Sequence, residues 1–92
     1  MHETGIVRDL VRRVESAARQ AGAVRVAGVT VWLGALSQFS PAHFREHFDD
    51  EARGTLAEHA HLSIEASDDP GDPNALSVMI RTLELEVADE TE

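Results

Sequence analysis

Ninety-two residues carrying a formal charge of −9 fit one compact domain, and a chain this short buries only roughly 60 to 65% of its unfolded surface, so its core is small. The absence of lysine and the presence of only eight arginines exclude the basic stripe that a nucleic-acid binder needs to offset phosphates. The lack of cysteine excludes disulfides and thiolate metal sites, and no apolar run reaches the ~18 residues of a membrane span.

The chain opens Met1-His2-Glu3. His2 is too large for methionine aminopeptidase to remove the residue before it, so Met1 is expected to keep the free α-amine. That amine, the backbone amide nitrogen of His2 and the His2 imidazole form two small fused chelate rings, and Glu3 can supply a fourth donor. A nearly square, nitrogen-rich set of this kind suits Ni(II) or Cu(II). Zinc prefers a tetrahedron and fits less well. The dipole of a helix starting here opposes a cation by about 0.3 to 1 kcal/mol, which the Glu3 carboxylate and a deprotonated amide offset. No basic-then-apolar signal pattern is present, and the cytoplasm is the expected location.

From Ile6 to Ala21 apolar residues recur at intervals of three and four, through Val7, Leu10, Val11, Val14 and Ala18. This is the stripe of an amphipathic helix, and Gly22 supplies its stop. Four arginines, Arg8, Arg12, Arg13 and Arg19, lie on this helix, while acids gather at 49–51, 68–72 and 84–92. Such polarity can steer a partner, although a solvated helix face is the favoured account of it.

The run "AVRVAGVTVWLGAL" is rich in β-branched residues and alternates, with Val29, Val31 and Leu33 on one side and Thr30 and Trp32 on the other. It predicts a strand. Val24 and Val26 are out of phase with Val29, which places a bulge or bend at Ala27-Gly28. Next, Ser40 as N-cap, Pro41 at the first helical position and Phe39 stapled onto Phe44 predict a second helix running to about Arg53, with Phe44 and Phe48 as its buried edge. Gly54 ends it, and Thr55-Leu56-Ala57-Glu58 matches a capping box for one further helical turn.

"AHLSIEA" alternates again and predicts a second strand, with Ala60, Leu62 and Ile64 inward and His61, Ser63 and Glu65 outward. Asp68 to Asn74 is turn chemistry throughout and is expected to gain no order from packing. "LSVMIRTLELEV" predicts a third strand in which Val78 and Ile80 fall in one phase and Leu83, Leu85 and Val87 in the other. Residues 88–92 form an acidic tail expected to fray. The expected architecture is α/β in composition, an α+β two-layer domain over residues 1–92. Two helices pack on one face of a three-stranded mixed sheet in the order α-β-α-β-β.

Two further histidine pairs invite a metal reading. His43 and His47 are four apart on the second helix, the spacing at which two imidazoles can share a metal, but no Glu follows His43 as in the zinc-protease pattern. His59 and His61, two apart, are expected to share the outer face of a strand. The sequence names no third ligand for either pair, and both are read as solvated surface histidines. Catalysis has no support: there is no Gly-rich phosphate loop, no cysteine nucleophile, and no base partner for any of the serines. No enzyme activity is expected.

With the elements placed, the chain resembles the HypA family of hydrogenase-maturation nickel metallochaperones along nearly its whole length. The matching stretches are Met1-His2-Glu3, the helix with Val7 and Val14 ending in Ala21-Gly22-Ala23, "VTVWLGALSQFSP", "HFREHF", "GTLAEHAHLSIE" and "MIRTLELEV". The resemblance implies a nickel domain in which Met1, His2 and Glu3 bind Ni(II). It also implies a cytoplasmic bacterial or archaeal protein that passes nickel toward [NiFe]-hydrogenase, and in some organisms urease. The partners it implies are a maturation GTPase and/or the hydrogenase large subunit.

Departures from the family pattern are equally visible. The family carries a zinc-binding insert with two Cys-x-x-Cys pairs between its last two strands, where this chain has only the 68–74 turn and no cysteine, so structural zinc is not expected. Thr4-Gly5 replaces the usual apolar residue and Ser, and Ala35 stands where Glu is common. The alternative reading is a metal-independent interaction or scaffold protein in hydrogenase assembly, using the open sheet face with Trp32, His61 and Glu65. A homodimer through that face is a further possibility.

Overall fold

A computed structural model describes residues 3–88. Five elements follow in chain order: α1 (Glu3–Gln20), β1 (Ala23–Leu33), α2 (Pro41–Ala52), β2 (His61–Ala66) and β3 (Val78–Val87). The expected tail lies outside the described residues from position 89 onward.

The α1 stripe is buried as the periodicity requires, with Val7, Leu10, Val14 and Ala18 fully enclosed. Gly22 adopts a left-handed φ of +75°, and the chain reverses into β1 within two residues. In α2 the Ser40 side chain accepts from the His43 amide at 3.1 Å, and Pro41 opens the helix. The Phe39 ring meets Phe44 edge-on at 5.4 Å, and Phe44 and Phe48 enter the core. Gly54 follows the helix with φ of +82°.

The expected further helical turn at Thr55–Glu58 does not form. The Thr55 hydroxyl instead accepts from the Ala57 amide, and the Glu58 carboxylate reaches back to the Gly54 amide, one residue beyond the Thr55 amide of a capping box. The segment is spent on turns because Leu56 must reach β1, where its carbonyl accepts from Val26 at 2.8 Å.

The sheet order is β2-β1-β3, with β1 parallel to β2 and antiparallel to β3. Three irregularities fix which side chains face the helices. Ala23 pairs with Val87 and Arg25 with Glu86, leaving Val24 over, and Val24 is accordingly half exposed. Val26 pairs with Leu85 and Gly28 with Glu84, leaving Ala27 over, so Val26 and Val29 both turn inward despite their odd spacing. On β3 the extra residue is Arg81, between Ile80 opposite Val31 and Thr82 opposite Thr30. This bulge brings the two phases of β3 onto one face, where Val78, Ile80, Leu83 and Leu85 all pack against the core.

Both helices lie on that face, and Thr30 and Trp32 turn toward the other. Since α1 reverses directly into β1, and α2 carries the chain back between two parallel strands, both helices run opposite to β1. They are therefore parallel to each other, with their N-termini at the same end of the molecule. Two anchors agree: Arg8 meets Glu51 at 3.2 Å, and seven residues further along α1 the Glu15 carboxylate accepts from the Leu56 amide.

Residues 67–77 join β2 to β3. Asp69 and Asp72 accept from the amides two residues on, ordering the turn from within. Just past this turn the buried Ala75, together with the carbonyl of Asn74, lies against Gly34. No described helix is long and apolar enough to cross a membrane.

Candidate metal site

The α1 helix opens at Glu3, and the amides of its first turn are among those with no intrahelical acceptor. Met1 and His2, the first two candidate ligands, lie outside the described residues, as does the side chain of Glu3. Parallel packing sets the first turn of α1 beside the middle of α2. One turn back from Arg8 is Thr4, and one turn back from its partner Glu51 is His47.

The two α2 histidines converge at that end. Their rings lie with centroids 4.7 Å apart and the Nε2 atoms at 3.0 Å, one imidazole donating to the other. Both are half buried, and both lean on Phe39, with ring centroids at 6.1 Å for His43 and 6.5 Å for His47. The i, i+4 spacing was visible in the sequence, but the convergence was not, because it depends on Phe39 folding back over the first turn of the helix.

His59 and His61 separate. His61 opens β2 on its outer face as expected, whereas His59 belongs to the preceding turn, with φ of +71° and an exposed side chain near the Glu58 carboxylate. The expected shared strand face is therefore wrong: the chain must turn at His59 to enter the sheet beside Gly28. Among the described residues no group of three or more His, Asp or Glu side chains is arranged to hold a metal. A shallow pocket of 310 Å³ at the other end of α2 is lined by Phe48, Asp49, Arg53, Glu58 and His59, among others, and mixes both charge signs.

Trp32 lies half exposed between Glu65 on β2 and Met79 on β3, and Glu65 is engaged by Arg81 at 3.1 Å. The open sheet face thus carries one aromatic amid an exposed ion pair.

Comparison with known proteins completes the picture. The family model described as "Hydrogenase/urease nickel incorporation, metallochaperone, hypA" matches residues 1–70. The hydrogenase maturation factor HypA of Acidithiobacillus ferrooxidans is 38% identical over 64 residues, which are 70% of this chain and 57% of that protein. HypA of Chlorobium limicola is 42% identical over 65 residues, 71% of this chain and 56% of its own length. The match thus spans under three fifths of these curated relatives. The solution structure of the Ni metallochaperone HypA from Helicobacter pylori superposes with a TM-score of 0.79 over 96% of this chain and 100% of that one, and at 19% identity this shows a shared fold.

Proposed function

Since this chain belongs to the HypA family, we propose that it is a nickel carrier for [NiFe]-hydrogenase maturation that holds Ni(II) on its N-terminal residues. Its task is to bind and release a metal, not to transform a substrate. In this reading the Met1 amine, the amide nitrogen and imidazole of His2, and Glu3 form a square-planar set. The observation that carries it is the Met1-His2-Glu3 opening directly ahead of a helix whose first turn starts at Glu3. Because the leading amides have no intrahelical acceptor, deprotonating one of them for the metal sacrifices no helix hydrogen bond. The preference of such a site for Ni(II) over Zn(II) follows from its geometry and nitrogen donors.

Neither lysine nor cysteine is available to this site, and no structural zinc is expected to support it. A maturation GTPase or the hydrogenase large subunit would receive the metal. The connection at 67–77 takes the position where the family's zinc insert would stand, so nickel binding by this domain is expected to be independent of zinc.

The test is a Ni(II) titration, by calorimetry and visible absorption, of protein with its authentic Met1 and of the same protein acetylated on its α-amine, the one amine of a chain without lysine. The expected result is one nickel site with the absorption of square-planar Ni(II), lost on acetylation. Equal behaviour of the two forms overturns the terminal site. If a hydrogenase subunit then still copurifies with His2→Ala, the metal-independent assembly reading takes its place.

A further inference from the structure

We propose that His43 and His47 form a bidentate imidazole site for a borderline divalent cation, Ni(II) or Zn(II), at the end of the molecule where α1 begins. The two Nε2 atoms are 3.0 Å apart. Nitrogens bound to one ion at about 2.0 to 2.1 Å stand about 2.9 Å apart at a right angle and about 3.4 Å apart at the tetrahedral angle. The observed spacing falls within that range, so an ion can replace the proton the rings share with little movement of either.

The rings are also held ready. Their i, i+4 placement on α2 puts both on one helix face, and Phe39 packs against each of them while itself stapled to Phe44 in the core. Half burial limits their freedom without closing the site to an ion in solution. Both imidazoles make contacts outside the pair as well, and what marks them is the convergence of their Nε2 atoms.

Two ligands make a weak site alone, and the described residues provide no third side chain. The remaining positions fall to water.

The experiment follows the five histidine rings by NMR during Zn(II) and Ni(II) titration at about pH 7.5. It uses protein with its authentic terminus, protein acetylated on its α-amine, and His43→Gln/His47→Gln in both forms. The expected result is that the rings of His43 and His47 shift or broaden together by one equivalent of metal while His59 and His61 do not. The double substitution should remove that equivalent, and the milder His47→Gln alone should weaken it at least tenfold. Rings that stay unmoved in both forms, or metal uptake indifferent to the double substitution, overturn the proposal. Loss of binding on acetylation with no effect of the double substitution leaves the terminal site standing without the pair. Loss on the double substitution with no effect of acetylation leaves the pair standing without the terminal site.

Discussion

The backbone of Ala75 lies where a β-carbon on Gly34 would have to go. That carbon would fall 2.7 Å from the Asn74 carbonyl oxygen and closer still to that of Ala75. Gly34 and Leu36 also donate to the carbonyls of Ser77 and Ala75, so neither strand of backbone can retreat without losing these bonds. Gly34→Ala is expected to cost about 2 to 3 kcal/mol by overpacking, read as a lower urea midpoint at unchanged slope. Gly5 is the control: nothing lies within 4 Å of a β-carbon there, and Gly5→Ala in α1 should stabilise by roughly half a kcal/mol.

Glu15 joins elements far apart in sequence. Its half-buried carboxylate accepts from the Leu56 amide at 3.3 Å and from Arg19 one turn on at 3.1 Å. Removing it leaves the Leu56 amide to find water at the edge of the core. Glu15→Ala should cost about 1 to 2 kcal/mol and Glu15→Gln less, since an amide oxygen still accepts. Arg8→Ala, which breaks only the exposed end of the ion pair with Glu51, should cost under about 1 kcal/mol. Chemical denaturation of the three variants would separate these ranks, and equal losses for Arg8→Ala and Glu15→Ala would refute the assigned role of Glu15.

Ser40 prepares the first turn of α2, where His43 and His47 project. Ser40→Ala should lower stability by about 1 kcal/mol and speed amide exchange at His43, whose N–H loses its acceptor. Ser40→Asp should retain most of the stability, because a carboxylate caps as well as a hydroxyl. Exchange at His43 unchanged in the alanine variant would show that the cap does not order this turn.

Most of the fold was legible because its signals are local. Alternation placed β1 and β2, and the cluster Phe39-Ser40-Pro41-Phe44 announced α2 with its cap and staple. The Ala27-Gly28 bend was readable from a glycine and a phase slip. The Arg81 bulge appeared only as two unexplained phases in β3, because a bulge without glycine leaves no residue-type mark and is set by which partner each residue meets across the ladder. His59 was misplaced for the same reason: a histidine at positive φ has no distinctive neighbourhood in sequence. In the candidate metal region the proposed terminal ligand set rests on residue types alone. The meeting of the His43 and His47 rings required Phe39 to fold back over the helix, and the shared end of the two helices required the sheet topology.

Nickel binding at the terminus should release protons in a number that identifies its donors. At ordinary values of about 7.7 to 8 for the α-amine and about 6.5 for an imidazole, the amine carries most of a proton at pH 7 and the ring about a quarter of one. A backbone amide nitrogen must lose a whole proton to ligate. The terminal site should therefore release about two protons per nickel at pH 7, and its affinity should fall steeply as pH drops, because each proton competes with the metal. A site of imidazoles and carboxylates alone would release only a few tenths to half a proton. Calorimetry in buffers of different ionisation enthalpy gives this count directly. About two protons, lost when the amine is blocked by acetylation, would identify the amine and amide as ligands. A count well below one at the authentic terminus would exclude the amide and leave nickel to the side chains.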